Sequence, residues 1–548
     1  MTALRVRWLG RVPYREAVTL QRALHERSSE DHLLLLEHPP VYTLGVRADL
    51  ANVLVPPASV GADLARADRG GDVTYHGPGQ LVGYPVVSVT TGHASVPAHV
   101  HAVEQVVIDA LGDLGLPGAG RVEGLPGVWV GDRKIAAVGV RVTRGRSMHG
   151  FALNVDPDLS MFGHIVPCGI RDRGVTSLAA AGVAVAMRDV VDAVAERAAR
   201  TWGGGGVERQ DVSWRHTPAD LSAFSRGAGP GDVPVRLTGR LAAAGVTDGL
   251  SITARKPEWL RARVRLGEGY LRTRRTVRQA GLVTVCEEAG CPNISECWGE
   301  GTATFMINGE RCTRACGFCL VDTRHPEPLA ADEPARVAEA VAHMGLAHAV
   351  VTAVARDDLA DGGAGAFAET IRAVRRRSPG CAVEVLIADC KGSEAALQTI
   401  FDARPEVLNH NLETVARLQR AVRPSAGYAR SLSVLARAKR AGLVTKSGLI
   451  LGMGETDDEV LGALADLAAI GVDIVTLGQY LRPTTNHLPV ARWVEPATFE
   501  ALKAAGEALG IGHVEASPLT RSSHHARSAL AAVTQGSVER SQSFQTGS

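Results

Sequence analysis

Six of the chain's nine cysteines fall between positions 286 and 319, and they form two triplets. Cys286, Cys291 and Cys297 lie in "CEEAGCPNISECW", and Cys312, Cys316 and Cys319 lie in "CTRACGFC". Each triplet is one ligand short of a closed tetrahedral site. On a tight loop, C-x3-C-x2-C spacing suits three irons of a [4Fe–4S] cluster, with the fourth iron left open. An open iron can chelate the amino and carboxylate groups of S-adenosylmethionine, and one electron can then cleave the sulfonium bond. A structural zinc borrowing a distant His or Cys is the competing reading, although zinc sites favour ligands paired at short spacing. The C-x4-C-x5-C triplet matches no common zinc pattern, and by itself it leaves zinc and unrelated thiols open.

A second set of candidates lies in the first 200 residues. In "RGGDVTYHGPGQLVGYP" the glycine pairs and proline force a tight loop whose amides can face a ligand, with His76 at its centre and Arg69, Gly70, Gly71 and Gly77 around it. Lys134 enters a strand in "GVWVGDRKIAAVGVR", His149 and Gly150 lie in "MHGFALNV", and Cys168 sits between Pro167 and Gly169 in "FGHIVPCGI". A lone cysteine is more often a buried apolar side chain. Cys168, however, stands in a loop and not in an apolar periodic run.

The elements that must position these residues divide the 548-residue chain, which is too long for one core. Residues 1–202 mix amphipathic helices ("YREAVTLQRALHER", "PAHVHAVEQVVIDALGDLG") with strands ("DHLLLLEHPPVYTLG", "QLVGYPVVSV", "KIAAVGVRVTR"). That pattern predicts an α+β domain on a mainly antiparallel sheet. Four consecutive glycines after Trp202, followed by Pro218, Pro230 and Pro234, predict a Gly/Pro-rich linker over 203–250. A second domain is expected over 251–530, and from about residue 300 the rhythm becomes strand–helix alternation. Six candidate strands begin near 302, 347, 382, 406, 443 and 472, the pattern of an α/β, TIM-type barrel, complete or partial. In such barrels chemistry sits at the C-terminal ends of the strands, and "CTRACGFC" follows the first of them. Residues 531–548 are expected to be a disordered tail.

The totals exclude several classes. A net charge of +1 supplies no field to recruit nucleic acid or anionic lipid. The first twenty residues lack the apolar core of a secretory signal, and no apolar run is long enough to span a bilayer. Clustered rather than dispersed cysteines argue against a disulfide framework, so the expectation is a cytoplasmic protein that keeps its thiolates for metal and catalysis.

Taken together, the two triplets resemble the lipoyl synthases, radical S-adenosylmethionine (SAM) enzymes. The resemblance extends through "ARDDLADGGA", "NHNLETV", "TKSGLILGMGETDDEV", "LGQYLRPT", "HLPVARWV" and "RSSHHA", over residues 255–527. It implies two [4Fe–4S] clusters and S-adenosyl-L-methionine as cofactors. One cluster, on Cys312, Cys316 and Cys319, generates the radical. The other, an auxiliary cluster on Cys286, Cys291 and Cys297, supplies the sulfur and is consumed. The family completes the auxiliary cluster with a serine from an Arg-Ser-Ser-Tyr motif. Here that motif reads Arg521-Ser522-Ser523-His524, and Ser522 is favoured over Ser523. Gly362, Gly363, Asn409 and Glu413 are the corresponding SAM-binding candidates. The chemistry requires such hardware, because the alkyl hydrogens at C6 and C8 of an octanoyl chain have no accessible pKa for a general base. This chain departs from the family at His524, at "IADCKG" and at "RPTTNHLPV". Cys381 and Cys390, outside both triplets, read as ordinary buried thiols.

Over residues 5–200 the motifs resemble the octanoyltransferases, which share the biotin/lipoate ligase-like fold. That resemblance implies a dyad in which the Cys168 thiolate takes the acyl group from octanoyl-acyl carrier protein, with Lys134 moving the proton. The implied whole is a bifunctional, multidomain lipoate-biosynthesis enzyme, an acyltransferase fused to a sulfurtransferase. Its partners would be octanoyl-acyl carrier protein, the lipoyl domains of 2-oxoacid dehydrogenases, the glycine cleavage H protein, and an electron donor such as flavodoxin or ferredoxin, with no nucleic acid and no membrane. Two readings compete with it: an ATP-dependent lipoate ligase in the first domain, and a non-catalytic metal-binding module in the second.

Overall fold

A computed structural model describes residues 3–89, 95–167, 173–204, 206–214, 234–246, 248–261, 267–288, 291–299 and 304–545. The chain divides into two compact units, Met1–Trp214 and Arg215–Ser548. Among the described residues, no helix is long and apolar enough to cross a membrane.

The first unit contains strands β1 (Leu4–Arg11), β2 (Asp31–Glu37), β3 (Val41–Leu44), β4 (Asp63–Arg66), β5 (Val73–His76), β6 (Gln80–Val86), β7 (Ala119–Val122), β8 (Leu125–Val130), β9 (Arg133–Thr143), β10 (Arg146–Asn154) and β11 (Val207–Asp211). Eight of them form one sheet in the order β11-β1-β2-β6-β10-β9-β8-β7, and β4-β3-β5 form a small second sheet. The large sheet is mainly antiparallel, as the sequence predicts, but β1 runs parallel to both β2 and β11. Helices Tyr14–Arg27, Ser95–Asp113 and Met187–Trp202 pack against it. The first buries Tyr14, Ala17, Leu20 and Leu24, an apolar stripe at helical spacing.

Strand β11 corrects the expected linker, because residues 207–211 lie inside the stretch assigned to it. Gly203 caps the helix that ends at Trp202, and Gly206 at φ +108° turns the chain into β11. The glycines therefore make a turn and not a tether. At the far end of the same stretch, residues 234–243 form a helix. Arg417 then bonds the Ala244 carbonyl, and the Leu250 amide donates to Val490. Strand β1 alternates Leu4, Val6 and Trp8 with Arg5 and Arg7. The Arg7 guanidinium is buried and reaches Glu208 of β11 at 2.6 Å.

The second unit contains β12 (Val283–Thr284), β13 (Thr304–Ile307), β14 (His348–Ala353), β15 (Ala382–Leu386), β16 (Val407–Asn409), β17 (Val444–Leu451), β18 (Ile474–Gln479) and β19 (His513–Ala516), hydrogen-bonded in that order. Strands β13 to β19 are all parallel, with helices Glu333–Met344, Ala364–Arg377, Glu394–Asp402, Tyr428–Arg440, Asp457–Ala469 and Pro496–Ala508 between them. The antiparallel β12 joins β13 at one edge. This is a partial TIM-type barrel with one parallel strand more than the six expected. The extra strand, "HVEA", is too short and too polar to announce itself.

Inside the barrel, Lys446 and Glu384 form a fully buried ion pair at 2.9 Å, and His348 lies 3.5 Å from the same carboxylate. The tail is also corrected: helix Ala526–Gln545 covers most of 531–548, and Ala529 and Val533 bury against Ile474.

Candidate functional sites

In the first unit, His76 is the last residue of β5 and not the centre of a loop. It is buried and its hydrogen bonds are saturated. Arg69 donates to the Thr43 hydroxyl at 2.8 Å, and that hydroxyl lies 3.3 Å from His76 Nε2. His76 Nδ1 lies 2.8 Å from Gln80 Oε1, an acceptor, so Nδ1 carries the proton and Nε2 accepts from Thr43. Burial lowers the His76 pKa well below its usual value, helped by His38 and Arg69, so the ring is neutral. The chain of contacts continues: Gln80 Nε2 donates to Asn154 Oδ1 at 2.9 Å, Asn154 Nδ2 donates to the Thr176 carbonyl at 2.9 Å, and the Thr176 amide donates to the Lys134 carbonyl at 2.9 Å. Sequence reasoning missed Gln80, Asn154 and Thr176, which link His76 to Lys134.

Lys134 is buried near the start of β9, with its ammonium 4.8 Å from the centre of the Trp129 ring, a cation–π contact. Gly127, at φ +119°, makes room for it, since a Cβ there would come 3.3 Å from Lys134 Cε and 2.6 Å from the Ala136 carbonyl. Cys168 lies outside the described residues. The described residues that flank its segment are anchored: the Val166 amide donates to Asn52, and the Lys134 amide donates to Gly174.

Gly70 donates to the Val140 carbonyl at 3.1 Å, which lays the Arg69–Gly71 turn against β9. Gly71 takes φ +91°, and a Cβ on Gly77 would overlap the Tyr75 hydroxyl. His149, at φ +60° within β10, places Nε2 2.7 Å from Asp68 Oδ1. Its pKa is lowered by burial although Asp68 pulls it up, and Asp68 is held well below the carboxylate range by that hydrogen bond. Gly150 packs under Gly83 and Pro85 with no space for a side chain.

In the second unit, the Cys312–Cys319 loop follows β13 and is pinned along its length. Thr313 donates its amide to the Ala355 carbonyl just beyond β14, Gly317 donates to Val422, Leu488 donates back to Gly317, and His487 Nε2 bonds the Cys319 carbonyl at 2.9 Å. The Cys312 sulfur accepts from the amides of Arg314 and Ala355 at 3.4 and 3.3 Å. Arg314, inside the motif itself, is clamped by Asp357 at 2.7 and 2.8 Å and by Asp389. Burial nevertheless dominates the thiols. It raises the pKa of Cys312, pushes Cys316 up to about 11, and raises Cys319 further. Buried thiols of this kind stay protonated unless a metal centre takes up the charge.

Glu413 and Arg423 act on the same loop: Glu413 pushes the thiols of Cys316 and Cys319 up, and Arg423 pulls Cys316 down. Glu413 sits at φ +66°, and burial raises its own pKa against the opposing pull of Arg423. Gly362 and Gly363, at φ +63° and +85°, turn the chain from β14 into the next helix. A Cβ on Gly363 would come 2.3 Å from Asn308, just beyond β13. Asn409 ends β16 and lies 3.5 Å from Glu384, within the polar cluster around Lys446.

The first triplet spans two short helical turns, Val285–Glu288 and Ile294–Gly299. Cys291 bonds the Cys286 carbonyl, and Cys297 bonds that of Asn293. Burial, with Cys291 beside it, pushes Cys286 up to about 11. The C-terminal loop reaches this triplet. Asn293 Nδ2 donates to the Leu519 carbonyl at 2.8 Å, and the half-buried Arg521 interacts electrostatically with Cys291. Ser522 Oγ accepts from Asn411 Nδ2 at 2.7 Å. Asn293 was not singled out by the sequence, and no spacing rule would have found it.

The sulfur spacing tests which metal body fits. Among the described residues, the only trio of His, Cys, Asp or Glu ligand atoms within 4.8 Å of one another is Glu515, His524 and His525. A tetrahedral zinc with Zn–S bonds of ~2.3 Å would need sulfurs about 3.8 Å apart. Neither cysteine triplet is gathered that tightly.

Comparison with known proteins adds the following. The lipoyl protein ligase A/B catalytic domain family matches residues 13–199, and the radical SAM superfamily matches residues 306–467. The lipoyl synthase of Rubrobacter xylanophilus is 57% identical over 273 residues, covering 50% of this chain and 85% of that protein. That of Kineococcus radiotolerans is 56% identical over 272 residues, covering 50% and 82%. Among solved structures, lipoate-protein ligase A bound with ATP shares 21% identity over 39% of this chain and 90% of that one, with a TM-score of 0.34, a likeness too slight to carry weight.

Proposed function

The chain belongs to the lipoyl synthase family through its C-terminal half and carries a lipoyl protein ligase A/B catalytic domain ahead of it; from that premise we propose that one polypeptide performs two consecutive steps of lipoate biosynthesis. In the first, the Cys168 thiolate attacks the thioester of octanoyl-acyl carrier protein, forming a new thioester and releasing the carrier thiol. A lysine amine of a lipoyl domain then displaces Cys168, and Lys134 takes and returns the proton. Thioester to amide is downhill, so no ATP is consumed. Arg69, Gly70, Gly71, Gly77 and Gly150 shape the acyl pocket. His76 and His149, both hydrogen-bonded, position the site and do not shuttle the reaction's proton.

In the second step, Cys312, Cys316 and Cys319 hold the radical-forming cluster, and Cys286, Cys291, Cys297 and Ser522 hold the auxiliary one. Bound there with S-adenosylmethionine, these groups would supply the radical that breaks the C–H bonds at C6 and C8 and the sulfur that takes the place of each hydrogen. Gly362, Gly363, Asn409 and Glu413 border the S-adenosylmethionine side. Asn411 orients the Ser522 oxygen, a hard ligand on a soft cluster and so one that is released readily. The clients would be lipoyl domains of 2-oxoacid dehydrogenases and glycine cleavage H protein, with a flavodoxin or ferredoxin as electron source.

The observation that supports this reading most is the meeting of the C-terminal loop with both sides: Asn293 and Arg521 tie it to the first triplet, and Asn411 ties Ser522 to the barrel. Anaerobic reconstitution tests it, with about eight irons per chain expected for two four-iron clusters. One or two zincs per chain, and no 5′-deoxyadenosine formed, would overturn it. For the first unit, Cys168→Ala separates a transferase, which loses its acyl-enzyme, from an ATP-dependent ligase, which survives.

A further inference from the structure

Two ring nitrogens without hydrogen-bond partners, close to Ser522, point to a metal site that belongs to neither triplet. We propose that Glu515, His524 and His525 bind a divalent first-row transition-metal ion of the zinc class. Their ligand atoms lie within 4.8 Å of one another, a convergence that no other His, Cys, Asp or Glu trio among the described residues shows. Glu515 is fixed on β19, and both imidazoles come from the loop that follows Ser522. His525 adopts φ +53°, and its ring stacks on that of His524 with centroids 3.8 Å apart. Its Nδ1 lies 3.2 Å from Glu515 Oε1. His513 Nε2 stands 3.4 Å from the other carboxylate oxygen.

The ring nitrogens of His524 are buried and have no hydrogen-bond partner. Buried polar atoms normally have one, so two orphans on a single ring call for a missing partner. Two imidazoles and one carboxylate are the donor set of zinc and its first-row neighbours, whereas magnesium and calcium favour oxygen alone. Three protein ligands leave a fourth position open. An ion held here would tie the loop carrying Ser522 to β19.

The test uses the full-length chain with both clusters loaded anaerobically, equilibrated with Zn2+ and then desalted. The expected result is one zinc per chain, with iron and sulfide unchanged and an X-ray absorption first shell of nitrogen and oxygen at ~2.0–2.1 Å. His525→Ala, at an exposed ring, and Glu515→Gln should each cut retained zinc at least tenfold at constant iron. No zinc retained by the parent chain, zinc unaffected by either variant, or a sulfur shell at ~2.3 Å would overturn the proposal. Iron content is read in the same samples, so a failure of cluster loading is distinguished from a failure of this site.

Discussion

The two units hold their candidate chemistry in opposite ways. In the first, polar groups already pair with one another: Arg69, Thr43, His76, Gln80, Asn154 and the Thr176 backbone hand hydrogen bonds from one to the next until they reach the Lys134 backbone. In the second, six thiols occupy pinned backbone, and burial raises the pKa of those at Cys286, Cys291, Cys312, Cys316 and Cys319. One site is preorganised by its own dipoles. The other has fixed geometry but needs an external charge before its ligands can ionise. The lesson is that a rigid frame can precede its cofactor when the backbone, and not the ligand atoms, carries the order.

The comparison can be broken most severely at the cysteine loop. Cys312→Ala should abolish 5′-deoxyadenosine formation and leave octanoyl transfer by the first unit at the parent rate. Loss of both activities would mean that the units are not separable. Next is the barrel interior. Lys446→Met should strand the Glu384 carboxylate and cost about 3–5 kcal/mol, read as a fall in the denaturant midpoint of the second unit. Glu384 has its pKa lowered in the folded state, with Lys446 and His348 opposing the effect of burial. The stability it contributes is therefore present above its unfolded pKa and is lost as pH falls through the folded value. The acid limb of the parent's stability profile should flatten in Glu384→Gln.

A smaller effect is expected in the C-terminal loop. Ser522→Ala should lower sulfur insertion while 5′-deoxyadenosine still forms, and Asn411→Ala should do the same more weakly. If cleavage fails and the auxiliary iron survives, the ligand is not Ser522. The mildest change is in the first unit. Asn154→Leu removes one acceptor from the Gln80 amide, which keeps Tyr75 and His76, and takes the Asn154 donor from the Thr176 carbonyl, at about 1–3 kcal/mol, and should slow acyl transfer with little change in substrate KM. An unaltered rate at reduced stability would limit the hydrogen-bond chain to a scaffold role.

The sequence makes these sites legible to different depths. The cysteine spacings name their own chemistry, and the strand–helix rhythm places "CTRACGFC" at a strand end, where β13 delivers it. Hydrogen-bond partners distant in sequence leave no such mark. Gln80 and Asn154 meet only because β6 and β10 pair at that register, and Asn293 reaches Leu519 across 226 positions. The glycine run misled because Gly203 and Gly206 look like slack chain, whereas they close a turn into β11. His76 misled for the converse reason: its glycine-rich neighbours suggest a loop, yet Val73–His76 is a buried strand.

The central claim is that one chain both transfers the acyl group and thiolates it, and a split-substrate assay tests it most directly. Cys168→Ala, reconstituted anaerobically with iron, sulfide, S-adenosylmethionine and reductant, is given either octanoylated lipoyl domain or unmodified lipoyl domain with octanoyl-acyl carrier protein. The account predicts lipoyl product from the first mixture at the parent rate and none from the second, while the parent chain converts both. Product from the second mixture, or none from the first while Cys168→Ala retains its iron, would contradict it.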